Sequence, residues 1–288
     1  MSGAHGRLAG AGWPGKHGPD PESGRGGRRQ TLVWDELRKV LAAREAETGR
    51  AALDIVDAGG GTGGFAVPFA ALGHHVTVVD ASPDALAAAR RRAAESNVRL
   101  TAVQGDADDL DTLVGQDAAD LVICHNVLEY VDSPAAAMAA IARVLRPGAT
   151  VSVLAANAIA AVLHRALAGR YEQARQLLAA ASAAGDPAPV PPGDGPGAGT
   201  GGSRRFTLAE LTALIEGAGL RAGDSRGIRV FSGLLPAADA DPGAVEALLA
   251  LEDAAAAYPA LRDIAARLHV LGIAPPAAAS PDSASPGG

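Results

Sequence analysis

The residues best suited to chemistry begin at Asp57-Ala58-Gly59-Gly60-Gly61-Thr62-Gly63, between the apolar run Leu53 to Val56 and a helical stretch from Phe65 to Leu72. Strand, glycine turn and helix in that order make a nucleotide-binding geometry, because the backbone must turn sharply and let a ligand come close. Gly59, Gly61 and Gly64 also satisfy Gly-x-Gly-x-x-Gly, so the glycines alone do not distinguish one adenosine-bearing cofactor from another. Residues further along do. His75 to Asp80 reads as a second strand. It ends in an acid about 20 residues past the first glycine, where a carboxylate accepts both ribose hydroxyls. The other reading of Asp80 is an acid that caps the helix opened by Ser82-Pro83. A third run ends Gln104-Gly105-Asp106-Ala107, where the acid can accept the exocyclic amine of adenine and Ala107 offers its amide. An N-cap of a short helix is the alternative for Asp106.

The fourth run, Asp120 to His125, leads into Asn126-Val127-Leu128-Glu129-Tyr130. In an open α/β sheet the carboxyl ends of the strands face the ligand crevice, so His125 and Asn126 belong beside a cofactor or its reaction partner. Cys124 beside His125 does not make a metal site, since neighbouring strand residues point to opposite faces; a buried thiol is expected.

Positioning these residues takes a whole sheet. Between Leu53 and Val153, short β-branched runs alternate with alanine-rich helical stretches, the rhythm of a parallel sheet with helices on both faces. Two more strands are expected around Leu220 to Val230 and Leu268 to Ile273. A helix from about Gln30 to Ala46 precedes the sheet, and helices at Ala158 to Ala168, Tyr171 to Ala181 and Val245 to Ala257 form cap elements. Gly- and Pro-rich composition marks residues 1–27 and 275–288 as tails and 183–203 as a flexible loop, leaving one domain over 28–274.

Composition narrows the function. A net charge of −7 argues against broad, sequence-independent nucleic-acid binding, which needs a surplus of basic groups. One cysteine excludes an intramolecular disulfide, a thiolate metal cluster and a Cys-x-x-Cys redox pair, and fits a reducing cytoplasm. Met1 to Gly27 hold no apolar run in which a membrane span or a signal peptide could be drawn, and a cytoplasmic protein without membrane or metal partners is expected.

Taken together, DAGGGTG, VVD, GDA, DLVICHNVLEY and VLRPGA resemble the motifs of class I methyltransferases, which use S-adenosyl-L-methionine (SAM). RRQTLVWDEL from Arg28, AANAIAAVLHRALAGRYEQA from Ala155 and GIRVFSG from Gly227 resemble the bacterial tRNA carboxymethoxyuridine methyltransferase family, whose members methylate a carboxylate on a modified wobble uridine. The resemblance implies an α/β, doubly wound, mostly parallel seven-stranded Rossmann-like sheet with helical caps. It implies that Arg29 reaches the methionine carboxylate of SAM, that Asp57, Gly59, Gly60 and Gly61 form the turn, that Asp80 binds ribose, Asp106 and Ala107 adenine, and His125 the methionine end. Asn126 and Arg229 face the acceptor in this reading, and His125 is the candidate base where the acceptor must lose a proton. The acceptor is tRNA or a small molecule: the acidic chain and the Gly/Pro-rich 183–203 loop leave room for a small carboxylate or hydroxyl metabolite. A SAM-binding interaction protein without turnover is the third expectation.

Overall fold

The computed structural model describes residues 31–182, 204–234 and 242–277. Arg29, the 1–27 and 183–203 segments and most of the segment from Pro275 lie outside them. In chain order the elements are α1 (Thr31–Thr48), β1 (Asp54–Ala58), α2 (Ala66–Ala71), β2 (His75–Asp80), α3 (Pro83–Glu95) and β3 (Thr101–Gln104). A 3-10 turn (Ala107–Asp109) leads to α4 (Leu110–Val114), β4 (Ala119–His125), α5 (Pro134–Val144) and β5 (Leu145–Ala156). Then come α6 (Ala158–Leu167), α7 (Tyr171–Ser182), α8 (Leu208–Gly217), β6 (Arg221–Ile228), α9 (Pro242–Ala256), α10 (Pro259–Arg262) and β7 (Arg267–Ile273).

The seven strands form one sheet in the order β3-β2-β1-β4-β5-β7-β6. β1 to β5 are parallel, and β7 runs antiparallel between β5 and β6. The expected doubly wound, mostly parallel α/β sheet is therefore present. Its order reverses between β1 and β4, and a crevice opens at that switch point, outside the carboxyl ends of the strands.

Strand periodicity divides the apolar residues between the two faces. Ile55, Leu121 and Ile123 pack with Val33, Leu37 and Leu41 of α1, Phe69 of α2 and Leu86 of α3. Their strand neighbours Val56, Val122 and Cys124 join Met138 and Ile141 of α5 and Leu211 and Ile215 of α8. Cys124 is fully buried, as its place in a two-sided strand requires.

Several boundaries follow from local chemistry. Ser82 and Ser133 accept from the amides of Ala85 and Ala136, each with proline at the first helical position. Thr207 and Glu210 form a reciprocal capping box on α8, a helix absent from the sequence reading although its Thr-x-x-Glu spacing is a helix-start signal. The helix after the glycine turn spans six residues, with Phe65 and Leu72, the expected ends, standing as its caps and Gly73 following in the left-handed region. The Ile-Arg-Val strand also stops sooner than expected. β6 ends at Ile228, and Arg229 follows with φ of 64°.

That left-handed turn is held by a buried carboxylate. Glu252 of α9 accepts from the amides of Val230 at 2.7 Å, Phe231 at 3.1 Å and Ser232 at 2.6 Å. Glu252→Ala leaves three donors without a partner and is expected to lower stability by about 2 kcal/mol. Denaturant unfolding checks this, and a change below about 0.5 kcal/mol would contradict it.

Candidate SAM site at the strand ends

The candidate residues come together because four adjacent parallel strands end side by side. Asp57 at the end of β1, Asp80 at the end of β2, Asp106 and Ala107 past β3, and His125 and Asn126 at and past the end of β4 all lie at the carboxyl edge of the sheet.

The glycine turn is clamped onto this edge. The Gly59 amide donates to the Val79 carbonyl at 2.7 Å, bringing the turn over β2. Gly59 has φ of 68°, and a Cβ there would come within 2.4 Å of the Val127 methyl, so any side chain both strains the backbone and collides. A Cβ on Gly60 would meet the Asp57 carboxyl at 2.5 Å. Backbone thus lies directly against this acid.

Asp57 is buried, and its carboxyl is pushed up to about 7 by burial and by the neighbouring Asp80 charge. Asp80 is placed by two amides: Gly61 donates to Oδ2 at 2.9 Å and Ser82 to Oδ1 at 2.8 Å. Each oxygen keeps a further lone pair for a ligand hydroxyl. Asp80 therefore does not cap α3, whose N-cap is Ser82; its carboxylate ties the glycine turn to the residue that starts that helix. Asp106 stands at the N-cap of the 3-10 turn but makes no side-chain capping bond, and it is exposed.

His125 turns both ring nitrogens into the protein. Nε2 meets Ser152 Oγ at 2.7 Å, the same hydroxyl meets His269 Nε2 at 2.7 Å, and His125 Nδ1 is buried without a hydrogen bond. Burial, then His269 and Arg267, hold His125 well below the usual imidazole range. His269 is pushed down to about 4 by burial and Arg226. Both rings are neutral near pH 7. Phe65 packs edge-on against His125 with centroids 4.9 Å apart, and Trp34 of α1 stacks on Phe69 at 4.2 Å. The rings of Trp34, Phe65 and Phe69 thus join α1 to the start of α2.

Asn126, with φ of 56°, accepts a hydrogen bond at Oδ1 from Arg267 of β7. Glu129 lies beside the same guanidinium at 3.7 Å. Arg205, Arg267 and Glu129 do not stand out in the sequence; the only signals are the Arg204-Arg205 pair closing the Gly/Pro-rich loop and an arginine opening a strand. Arg229, past β6, sits two strands from β5 along the same edge.

This donor set fits SAM. A ribose diol needs a carboxylate with spare lone pairs, an adenine amine needs an open acceptor, and a sulfonium with an α-ammonium group favours nearby anions; Asp80, Asp106 and Asp57 have the chemistry for these three places. Asp80→Ala removes the diol acceptor and leaves the Gly61 and Ser82 amides unpaired. SAM binding is expected to weaken by about 1.5–3 kcal/mol, read by calorimetry, and an unchanged affinity would remove Asp80 from the ribose role.

Residues 55–148 match a family model described as a methyltransferase domain. The chain is 34% identical over 154 residues to the tRNA 5-carboxymethoxyuridine methyltransferase of Escherichia coli K12, covering 51% of this chain and 56% of that protein. It is 33% identical over 137 residues to a ubiquinone biosynthesis O-methyltransferase of Xanthomonas campestris, covering 48% of this chain and 56% of the relative. The chain thus spans about half the length of the curated relatives it matches. A SAM-dependent methyltransferase from Methanosarcina mazei shares the fold at TM-score 0.53 and 15% identity, over 79% of this chain and 94% of that one. The magnesium protoporphyrin IX methyltransferase of Synechocystis does so at TM-score 0.51 and 14% identity, over 88% of each chain. Residues 55–148 thus match a methyltransferase domain, the sheet order is that of the class I SAM-dependent methyltransferase fold, and about half of the chain is similar to a tRNA carboxymethoxyuridine methyltransferase.

Proposed function

We propose that this chain is a cytoplasmic SAM-dependent O-methyltransferase that esterifies a carboxylate on a modified tRNA wobble uridine, with residues 28–274 acting as one domain. Asp57, Gly59, Gly60, Gly61, Asp80, Asp106, Ala107 and His125 line the cofactor side, with Arg29 at the methionine carboxylate, and Asn126 and Arg229 face the acceptor. The observation that carries the reading is the run of carboxylates Asp57, Asp80 and Asp106 along adjacent strand ends, together with the identity to the Escherichia coli enzyme.

When bound, SAM supplies a methyl group on a sulfonium, already activated toward displacement. The protein's task is alignment and exclusion of water. An acceptor oxygen forms its bond to the methyl carbon as the carbon–sulfur bond breaks, and the electron pair stays on sulfur. A carboxylate is ionised at neutral pH and has no proton to lose. The inward-turned nitrogens of His125 suit such an acceptor, whereas a hydroxyl would need an accessible base.

The test is transfer of isotopically labelled methyl from SAM to bulk tRNA, followed by mass spectrometry of the digested nucleosides. A labelled, base-labile ester on a wobble uridine is expected. Label appearing only in a small-metabolite fraction would support instead a small carboxylate or hydroxyl acceptor, a reading favoured by the net charge of −7 and the ubiquinone-pathway relatives. SAM binding without label in any pool would favour an interaction protein.

A further inference from the structure

Three features of the acceptor side converge on one residue, Ala156, the last of β5. Its amide donates to Glu129 Oε1 at 2.9 Å. Its carbonyl accepts from the Phe206 amide at 2.9 Å, so the segment 204–206 crosses the end of the strand. Its partner across the β5–β7 pairing is Arg267. Glu129, Arg267 and Arg205 are thereby gathered within one patch of the carboxyl edge, next to Asn126.

Arg205 is set between two anchored neighbours. Arg204 spends its guanidinium on the Val131 and Asp132 carbonyls, and its amide donates to the Glu129 carbonyl at 3.1 Å. Phe206 is wholly buried in the core. In an extended segment the residue between these two points the other way, toward the patch. Arg205 is half-buried, and among the described residues it donates no hydrogen bond and joins no ion pair. Burial lowers its pKa, and the Arg267 charge lowers it further while Glu129 opposes the shift. The second cation is fixed: Arg267 donates to Asn126 and stands 3.7 Å from Glu129. Glu129 Oε2 is buried without a partner of its own. Two guanidiniums that repel each other beside a single buried carboxylate leave the patch short of negative charge.

We propose that Arg205 and Arg267 form the acceptor clamp of the methyl-transfer site, Arg267 fixed by Asn126 and Glu129 and Arg205 free to close on the acceptor's carboxylate. The clamp reads charge as well as shape. Esterification converts the carboxylate it holds into a neutral group, so the same pair that recruits the acceptor has little hold on the product. Acid and methyl ester are thereby told apart. The inference rests on the methyl-transfer reading above.

The experiment measures binding of 5-carboxymethoxyuridine nucleoside and of its methyl ester to the full chain saturated with S-adenosylhomocysteine. The unmodified protein is expected to prefer the acid by about 10- to 100-fold, the scale of one or two charge-assisted hydrogen bonds. Arg205→Ala should erase most of that preference with S-adenosylhomocysteine binding unchanged, and Arg205→Lys should restore part of it. Among the described residues Arg205 donates no hydrogen bond, so its truncation is expected to leave the fold intact; Arg267→Lys serves in place of the alanine at the paired position. Equal binding of acid and ester, or binding of neither, in the unmodified protein overturns the clamp, as does a preference that survives Arg205→Ala. Failure of the unmodified protein to bind S-adenosylhomocysteine at all overturns the methyl-transfer reading and the clamp with it.

Discussion

Asp57→Asn is expected to make the ligand-free protein more stable above neutral pH, by about 3–4 kcal/mol at pH 8. Burial and the Asp80 charge raise the folded-state pKa of Asp57 to about 7, against 3.8 for the ordinary carboxyl. Between those values the unfolded chain has released a proton that the folded chain still holds, so the wild type loses stability as pH rises through that window and levels off above about 7. An amide does not ionise and escapes the loss. The same substitution should weaken SAM binding, because a cationic ligand favours the ionised acid. In the wild type, SAM affinity should therefore rise with pH up to about 7 and binding should release a proton below that pH; in the variant both effects vanish. Chemical denaturation at pH 5 and pH 8, with calorimetry in buffers of different ionisation enthalpy, reads both. A variant no more stable at pH 8, or a pH-independent wild-type affinity, would refute the strained-acid account of Asp57.

The opposite end of the sheet should show the reverse behaviour. Asp120, at the start of β4 with a fully buried side chain, accepts from Arg44 Nε at 3.2 Å, Arg146 Nη1 at 2.8 Å, Arg50 and the Asp54 amide at 3.0 Å. Burial pushes its carboxyl up, but the Asp54 amide and the three arginines outweigh burial and hold it below the usual range. Asp120→Ala strands these cations in a partly buried site and is expected to cost about 3–5 kcal/mol, the scale for breaking a buried ion pair. Arg44 also donates to the Pro147 carbonyl, so the loss should loosen the entry of β5. Because the depressed pKa implies stability present at neutral pH and lost on acidification, the gap between wild type and variant should narrow below about pH 4. A destabilisation under 1 kcal/mol at pH 7 would contradict this.

Most of the sheet was legible because strand periodicity and glycine punctuation are local signals. Leu53 to Asp57 and His75 to Asp80 read as strands from their β-branched runs, and the acids at their ends follow from where such strands stop. β7 shows the limit of local reading. Its sequence marks Leu268 to Ile273 as a strand, but its antiparallel insertion between β5 and β6 depends on pairing with residues more than a hundred positions away. Arg205 and Arg267 were invisible for the same reason: each is an ordinary arginine until Ala156 brings them together. The Glu252 clamp on the turn after β6 likewise joins segments about twenty residues apart through backbone amides, which carry no side-chain signature. Arg29 rests on resemblance alone, since it lies outside the described residues.

The central claim is that the glycine turn and the acids Asp57, Asp80 and Asp106 hold SAM rather than a dinucleotide. Calorimetric titration of the full chain with SAM, S-adenosylhomocysteine and NAD tests it directly. The account predicts saturable one-to-one binding of SAM and S-adenosylhomocysteine, weakened by Asp80→Ala, with no heat from NAD. Saturable binding of NAD with none of SAM would contradict it.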